Sequence, residues 1–348
     1  MTVGVQNDKL AEDLQSLAMK QNQIYAKLNA LLVGKREEGG MLDVLREREY
    51  YRDFPTCEEE MPGFREAFLA LTAGLDEESI RTISLAIGRI RRIKSTTDRR
   101  LPLYTAREDR EYREALEHLG GEVLRLSDGC YYYNGYMLPS PAFEPCVFMD
   151  KCGLGHLENP AAFAKKDIID AGAFIGDSAL IFSGLTNAKV YAFEPSGDNY
   201  ELLQKTVEMN GLGNVVPCRM ALGKERGQVE LTKSIIPSAN TQIKNKAVPY
   251  FGTETAKVAR LDDFVRENGL DVGLIKADIE GAEQLLLAGA LETIRTMRPA
   301  LLISIYHNAD DFFQIKPFLE KLGLGYRFKV RHPAIGTVLT ETMLIAEA

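Results

Sequence analysis

The chain has 348 residues, room for two average domains or one domain with a large appendage, and its 45% hydrophobic and 26% charged content is that of a folded globular protein. Its 42 lysines and arginines face 50 aspartates and glutamates, a net charge of −8, which argues against wrapping nucleic-acid phosphates. No run approaches 18 apolar residues and residues 1–15 lack the basic start and apolar core of a secretory leader, so neither a membrane span nor export is expected. Five cysteines without a CxxC pair read as reduced thiols in a cytoplasmic protein, not as a disulfide framework or a zinc cluster.

The first fifty residues read as helix. Leu10, Leu14, Leu17, Ile24, Leu28 and Leu31 alternate in steps of four and three if Gln21 fills the missing slot, which is a short heptad seam. It predicts either a homodimer through this helix or a helix lying on its own catalytic domain. A second helix is expected over Asp76–Lys94, with Ile80, Ile83, Ile87 and Ile90 on one face and acidic residues at its start. Its basic end (Arg89, Arg91, Arg92, Lys94, Arg99, Arg100) is either a landing patch for an anionic substrate or a solvated helix terminus. A short helix over 107–118 follows, then Gly120-Gly121 and a hairpin-like segment in which Tyr131–Tyr133 precede the turn signal Asn134-Gly135. The expected division is a helical accessory region over 1–122, a β-rich connecting or lid segment over 123–165, and a catalytic domain over 166–348.

From about residue 165 short apolar runs alternate with helical segments. Strands are expected at Ile168-Ile169, Val190–Phe193, Val215–Met220, Leu274–Ala277 and Ala300–Tyr306, with helices over 178–185, 198–209, 281–290 and 310–322. This alternation means parallel strands with crossover helices, an α/β Rossmann-like sheet. The last pair, Tyr326–Val330 and Met343–Ala346, reads as a terminal antiparallel hairpin.

Three segments carry the chemistry. The loop DAGAFIGDS (170–178) follows the first strand of the series; Gly172 permits a tight turn and Gly176 a close approach. In an open α/β sheet such a loop lies where ligands bind. A dinucleotide site would read GxGxxG, whereas Asp170 ahead of the first glycine repels a pyrophosphate and welcomes a cation such as the sulfonium of S-adenosylmethionine. Glu194, in YAFEPSGDN and 22 positions after Gly172, has the separation of a carboxylate that accepts ribose hydroxyls. The third segment, LIKADIEGAE (274–283), ends a strand in Asp278 and Glu280 and opens a helix at Gly281. It lacks the Pro-Pro-aromatic run of nucleic-acid adenine methylases, and the Pro217-Cys218 pair lies inside an apolar strand, where a packed thiol is expected rather than a nucleophile.

The order DAGAFIGDS, AFEP, ALG (221–223), RLDD (260–263) and IKADIEGAE resembles the FkbM-type family of S-adenosylmethionine-dependent methyltransferases over residues 125–348. FEPCVFMDKCGLGHL (143–157) and ISIYH (303–307) resemble a branch of it. The resemblance implies the class I methyltransferase fold and O-methylation of a sugar, glycan or small molecule. It implies cofactor contacts at Asp170, Gly172, Ala173, Gly176, Glu194, Ala221, Leu222 and Asp278. Where some members carry a glutamate, this chain reads Ser304. An alcohol acceptor needs a base, for which Asp278, Glu280 and His307 are the candidates. Asp262, Asp263, Asp278 and Glu280 offer oxygens for Mg²⁺ without a spacing signature, so no metal is assigned. The rival classes are a nicotinamide-dependent oxidoreductase on the same fold and a non-catalytic methyltransferase-like module held in an assembly.

Overall fold

The protein is described by a computed structural model covering residues 41–98, 100–234, 250–333 and 338–348; the heptad segment over residues 10–31 lies outside the described residues. Parallel strands covered on both faces must be apolar at consecutive positions, and the runs IID, VYAF and VGLI meet that condition. The central sheet is built from β1 (Asp167–Ala171), β2 (Val190–Phe193), β3 (Val215–Cys218), β4 (Val272–Ala277), β5 (Ala300–Ser304), β6 (Arg327–Arg331) and β7 (Met343–Glu347). Their spatial order is β6-β7-β5-β4-β1-β2-β3. Strands β1 to β5 run parallel, and β7 is antiparallel to both β5 and β6. This is the α/β class I methyltransferase sheet expected from the sequence, with its terminal hairpin.

Because neighbouring strand residues point to opposite faces, the sheet feeds two cores. Ile169, Phe193, Ile275 and Leu301 enter one. Ile168, Ala192, Leu274 and Leu302 enter the other. The first core is completed by upstream helices α1 (Val44–Tyr50), α2 (Phe64–Thr72) and α3 (Glu77–Ser95), through Leu71, Ile83 and Ile90 and through Tyr51 and Phe54 beyond α1. Phe54 meets Phe312 edge-on with ring centroids 5.3 Å apart. The fully buried Lys316 sends its Nζ to the carbonyls of Ala70 (3.2 Å) and Ala73 (2.6 Å), so its charge closes the C-terminal end of α2. The second core is covered by helix α4 (Ala106–Glu122), a three-stranded meander over 124–138, and the turns that follow, with Tyr133, Phe143 and Phe148 clustered against it. Of the tyrosine run, Tyr133 is buried in this core. The sheet is flanked on its helical layers by α5 (Asp177–Ser183), α6 (Gly197–Met209), α7 (Leu261–Asn268), α8 (Glu283–Gly289), α9 (Leu291–Met297) and α10 (Ala309–Lys321).

Local readings shift in instructive ways. Helix α3 begins one residue after its expected start because Asp76 is the cap, accepting the Ser79 N–H at 2.8 Å. Ile80 is not on the buried face; it is 39% exposed, and Ser79 points inward, its hydroxyl accepting the Val330 N–H at 2.8 Å. The basic end of α3 is partly internal: Arg89 pairs with Glu108 at 2.7 Å and Lys94 with Glu60 at 2.6 Å, while Arg91 and Arg92 are exposed. Helix α4 runs through Gly120-Gly121 to Glu122, four residues past its expected end. A long antiparallel pair, Gly227–Ser234 with Tyr250–Arg260, was not anticipated; its end continues in parallel with Ala221–Gly223. Among the described residues, no helix is long and apolar enough to cross a membrane.

The α3 cap also ties that helix to the sheet, since Arg331 of β6 pairs with Asp76 at 2.7 Å. Asp76→Ala should lower unfolding stability by about 1–2 kcal/mol, and Asp76→Asn, which keeps the cap but not the ion pair, by less than half of that. Urea unfolding of the two variants checks this; equal losses would mean that the cap contributes nothing.

Candidate active site

At the carboxyl edge of the sheet, the loops after β1 and β4 are pressed together. The Asp278 N–H donates to the Ala171 carbonyl at 3.1 Å, and the N–H groups of Gly172 and Ala173 both reach the Phe193 carbonyl at 3.0 Å. Gly172 has a φ of +76°, and a Cβ there would lie 1.8 Å from the Asp278 carbonyl oxygen. Only glycine fits. Beneath this contact Lys276 is buried, its Nζ donating to the Gly172 carbonyl at 2.7 Å and lying 3.4 Å from Asp170. Lys276 and Asp170 are register partners on β4 and β1. Burial would strip the proton from Lys276, but Asp170 and, next, Asp278 outweigh it and hold the ammonium above its ordinary pKa.

This changes the reading of Asp170. Its carboxylate is fully buried, bonded by the Ser178 hydroxyl at 2.7 Å and paired with Lys276. Its charge is neutralised inside the fold and does not face the cleft. Ala173 is wholly buried, and Gly176 (φ +89°) starts α5, where a Cβ would meet Leu203 of α6 at 2.8 Å. These three residues lie behind the cleft. Gly172, Glu194, Ala221, Leu222, Asp278 and Glu280 line it. Phe174, Met220, Val229, Leu231 and Ile279 add apolar walls that the sequence reading did not single out. Val229 and Leu231 come from the unanticipated hairpin.

Glu194 stands at the end of β2, where Pro195 stops the strand. It is buried, and its Oε1 accepts the Ser196 N–H at 2.8 Å. Burial pushes its carboxyl up to about 8, although Ser196, Asn199 and the Phe174 backbone favour the ionised form. On the opposite wall, Glu280 adopts a left-handed backbone (φ 57°), unusual for a residue with a side chain. Burial raises it to about 7, against the pull of His307.

His307 follows β5 and does not line the cleft; it stands behind the acids. Its Nδ1 is 3.0 Å from Glu283, and its Nε2 is 3.4 Å from Asp278 and 3.8 Å from Glu280. Burial alone would lower its pKa, but the three carboxylates, Glu283 first, raise it to about 10. An imidazole already protonated is no base, which argues against the role expected for it. Asp278 also receives the Tyr306 hydroxyl at 3.3 Å. Two acids missed in the sequence border the same edge: Glu341, with φ 69° and a pKa raised by burial to about 7, and Glu144, which takes the Cys146 thiol at 3.8 Å. The signal for Glu144 was the 143–157 run, read only as a branch resemblance, and Glu341 carried none. Asp262 serves elsewhere: its carboxylate accepts the Thr293 N–H at 2.8 Å and pairs with Arg260. Cys218 is a buried thiol in β3, raised by burial to about 12 and unsuited to nucleophilic attack.

Residues 170–328 match the family described as Methyltransferase FkbM domain. The match spans a little under half of this chain. The chain is 28% identical over 200 residues to Methyltransferase 1 of Beauveria bassiana, covering 51% of this chain and 78% of that one. It is 28% identical over 148 residues to hexuronic acid methyltransferase AglP of Haloferax volcanii, covering 42% of this chain and 59% of the relative. A crystal structure of a methyltransferase FkbM from Methylobacillus flagellatus KT aligns with a TM-score of 0.51 at 20% identity, covering 81% of this chain and 58% of that one. At that identity the likeness shows a shared fold. The matched segment contains the glycine loop, Glu194 and the whole Asp278–His307 wall.

Removing one partner of a buried ion pair strands the other. Lys276→Met should therefore cost about 3–5 kcal/mol of stability, and adding Asp170→Asn to it should recover more than half. Chemical unfolding of the single and double variants measures this; a double variant no more stable than Lys276→Met would disprove the coupling.

Proposed function

We propose that the protein is an S-adenosylmethionine-dependent O-methyltransferase acting on a hydroxyl of a carbohydrate or other small molecule. The observation that carries this reading is the cleft itself, with Glu194 on one wall, Asp278 and Glu280 on the other, and the Gly172 turn between them. The donor set suits the cofactor. Phe174, Met220, Leu222, Val229, Leu231 and Ile279 give apolar surface for a flat base, Glu194 accepts ribose hydroxyls, and the acidic wall favours a cationic sulfonium. S-adenosylmethionine, when bound, supplies an electrophilic methyl group.

The chain's own residues do the rest. Asp278 and Glu280 line the cleft whereas His307 does not, so the acceptor hydroxyl gives its proton to a carboxylate as the new O–C bond forms and the S–C bond breaks. Carboxylates are also strong acceptors for sugar hydroxyls, and a relative named for hexuronic acid methylation supports a carbohydrate acceptor. The loop lacks GxGxxG, which weighs against a nicotinamide cofactor.

Calorimetric titration tests the cofactor. Glu194→Ala should weaken S-adenosylmethionine binding by about 1–3 kcal/mol. Because buried Glu194 is protonated below about 8, wild-type affinity should climb as pH rises from 6 to 8, by up to about tenfold per unit, and level off above. Glu194→Gln should flatten that dependence. Binding of NADH in place of S-adenosylmethionine, or an affinity independent of pH, would refute the assignment.

Once an acceptor is in hand, turnover tests the wall. Asp278→Asn and Glu280→Gln should each lower kcat by about 10²–10⁴-fold with cofactor affinity changed far less. Near-normal kcat in both variants would mean that neither carboxylate takes the proton.

A further inference from the structure

We propose that His307, Asp278 and Glu280 form a binding site for a divalent metal ion, with Glu283 orienting the histidine from behind. Nε2 of His307 has Asp278 Oδ1 at 3.4 Å and Glu280 Oε2 at 3.8 Å on the same side of the ring. Metal–ligand bonds of about 2.1 Å place neighbouring ligand atoms about 3.0–3.4 Å apart, so His307 and Asp278 already stand at ligand spacing, and Glu280 completes the set by turning its side chain toward them. On the far side of the ring, Nδ1 lies 3.0 Å from Glu283 Oε1. Glu283 is itself completely buried and fixed by the Ile279 N–H at 2.8 Å. A carboxylate behind the imidazole and ligands in front of it is the arrangement by which proteins orient a metal-bound histidine.

A second observation separates this from a mere cluster of acids. The His307 side chain is only 6% exposed, yet its Nε2 has no hydrogen-bond partner among the described residues. A buried imidazole aimed at two carboxylates without bonding either is an unmet demand, and an ion on Nε2 meets it. Charge points the same way. Asp278, Glu280 and Glu283 surround one imidazole, and Glu341 and Glu144 add further acid at the same edge. Carboxylates crowded out of water are stabilised either by protons of their own or by a cation. A metal ion and a proton exclude one another at Nε2, so metal binding there depends on pH. The left-handed backbone of Glu280 turns its side chain toward this point, a strain the surrounding loop contacts sustain.

Two carboxylates and one imidazole suit a borderline ion of the manganese or zinc type. Because Asp278 and Glu280 also line the cleft, the remaining coordination positions face it. Resting on the methyltransferase reading, an acceptor hydroxyl at such a position is polarised and its pKa lowered.

The test uses full-length protein stripped with a chelator and titrated with Mn²⁺ alone, the free ion followed by electron paramagnetic resonance. One equivalent should bind. Glu280→Gln and His307→Ala should each weaken it about 100-fold or more, and Glu283→Gln about 10–100-fold. Asp263→Asn, an acid of the α7 region outside this site, should leave it unchanged. Circular dichroism and thermal unfolding establish that each variant is folded, and Glu280→Gln, the less buried change, decides if His307→Ala is not. Absence of a bound equivalent in the wild type, or Mn²⁺ affinity unaltered by Glu280→Gln, overturns the proposal. Separate titration with S-adenosylmethionine keeps the two readings apart: Mn²⁺ binding without cofactor binding leaves the metal site and removes the methyltransferase mechanism, and the reverse removes only the metal.

Discussion

Two loops meet at the carboxyl edge closely enough that a single methyl group would not fit between them. The Gly172 backbone lies against the Asp278 carbonyl, and the Asp278 N–H closes on Ala171. Lys276, buried below, gathers the Ala171 and Gly172 carbonyls and neutralises Asp170. This contact sets the distance between the two walls of the cleft. Glu194 is held on one side because β2 receives the N–H groups of Gly172 and Ala173, and Asp278 is held on the other because its own backbone is part of the junction. The charge buried here serves geometry. A network of this kind costs desolvation and returns a defined arrangement, which is what an in-line transfer requires.

The strand–helix alternation from residue 165 onward was readable because strands covered on both faces are apolar at consecutive positions, and the five parallel strands carry that pattern openly. Glycine positions were readable for the same kind of reason: Gly172 tolerates a conformation and an approach that no other residue does. The Gly227–Ser234 and Tyr250–Arg260 pair was not readable. Its members mix Glu, Thr and Lys with single apolar residues, so periodicity is faint, and no tight-turn signal joins them. The role of Asp170 misled for a different reason. An acidic residue ahead of a glycine loop looks the same in sequence whether it faces a ligand or a lysine one strand away, and only the β1–β4 register distinguishes them. His307 was found as a candidate base, but the three carboxylates around it come from residues 278–283, and their joint effect on its proton is a property of three dimensions.

The upstream helices are part of the same structure. Lys316 binds the end of α2, Ser79 of α3 accepts from β6, and the Tyr51 hydroxyl accepts the Leu339 N–H at 3.1 Å. Those contacts bring residues beyond the FkbM segment onto the strands that frame its acidic wall. Helices α2 and α3 are thus packed onto β6 and α10, two elements next to that wall.

Strand β7 lies between β5 and β6, although β6 precedes it in the chain. Until Met343–Glu347 has been made, β5 and β6 each present an open edge to the same gap, and the fold waits with two templates for mispairing exposed. The strand that fills the gap also carries Glu347, whose carboxylate accepts the N–H groups of Glu158 and Asn159 at 2.8 and 3.2 Å. Late insertion of one short strand thus fastens the segment bearing Glu144 to the sheet. A chain in which that strand has not yet paired keeps two open edges and is the species most exposed to aggregation.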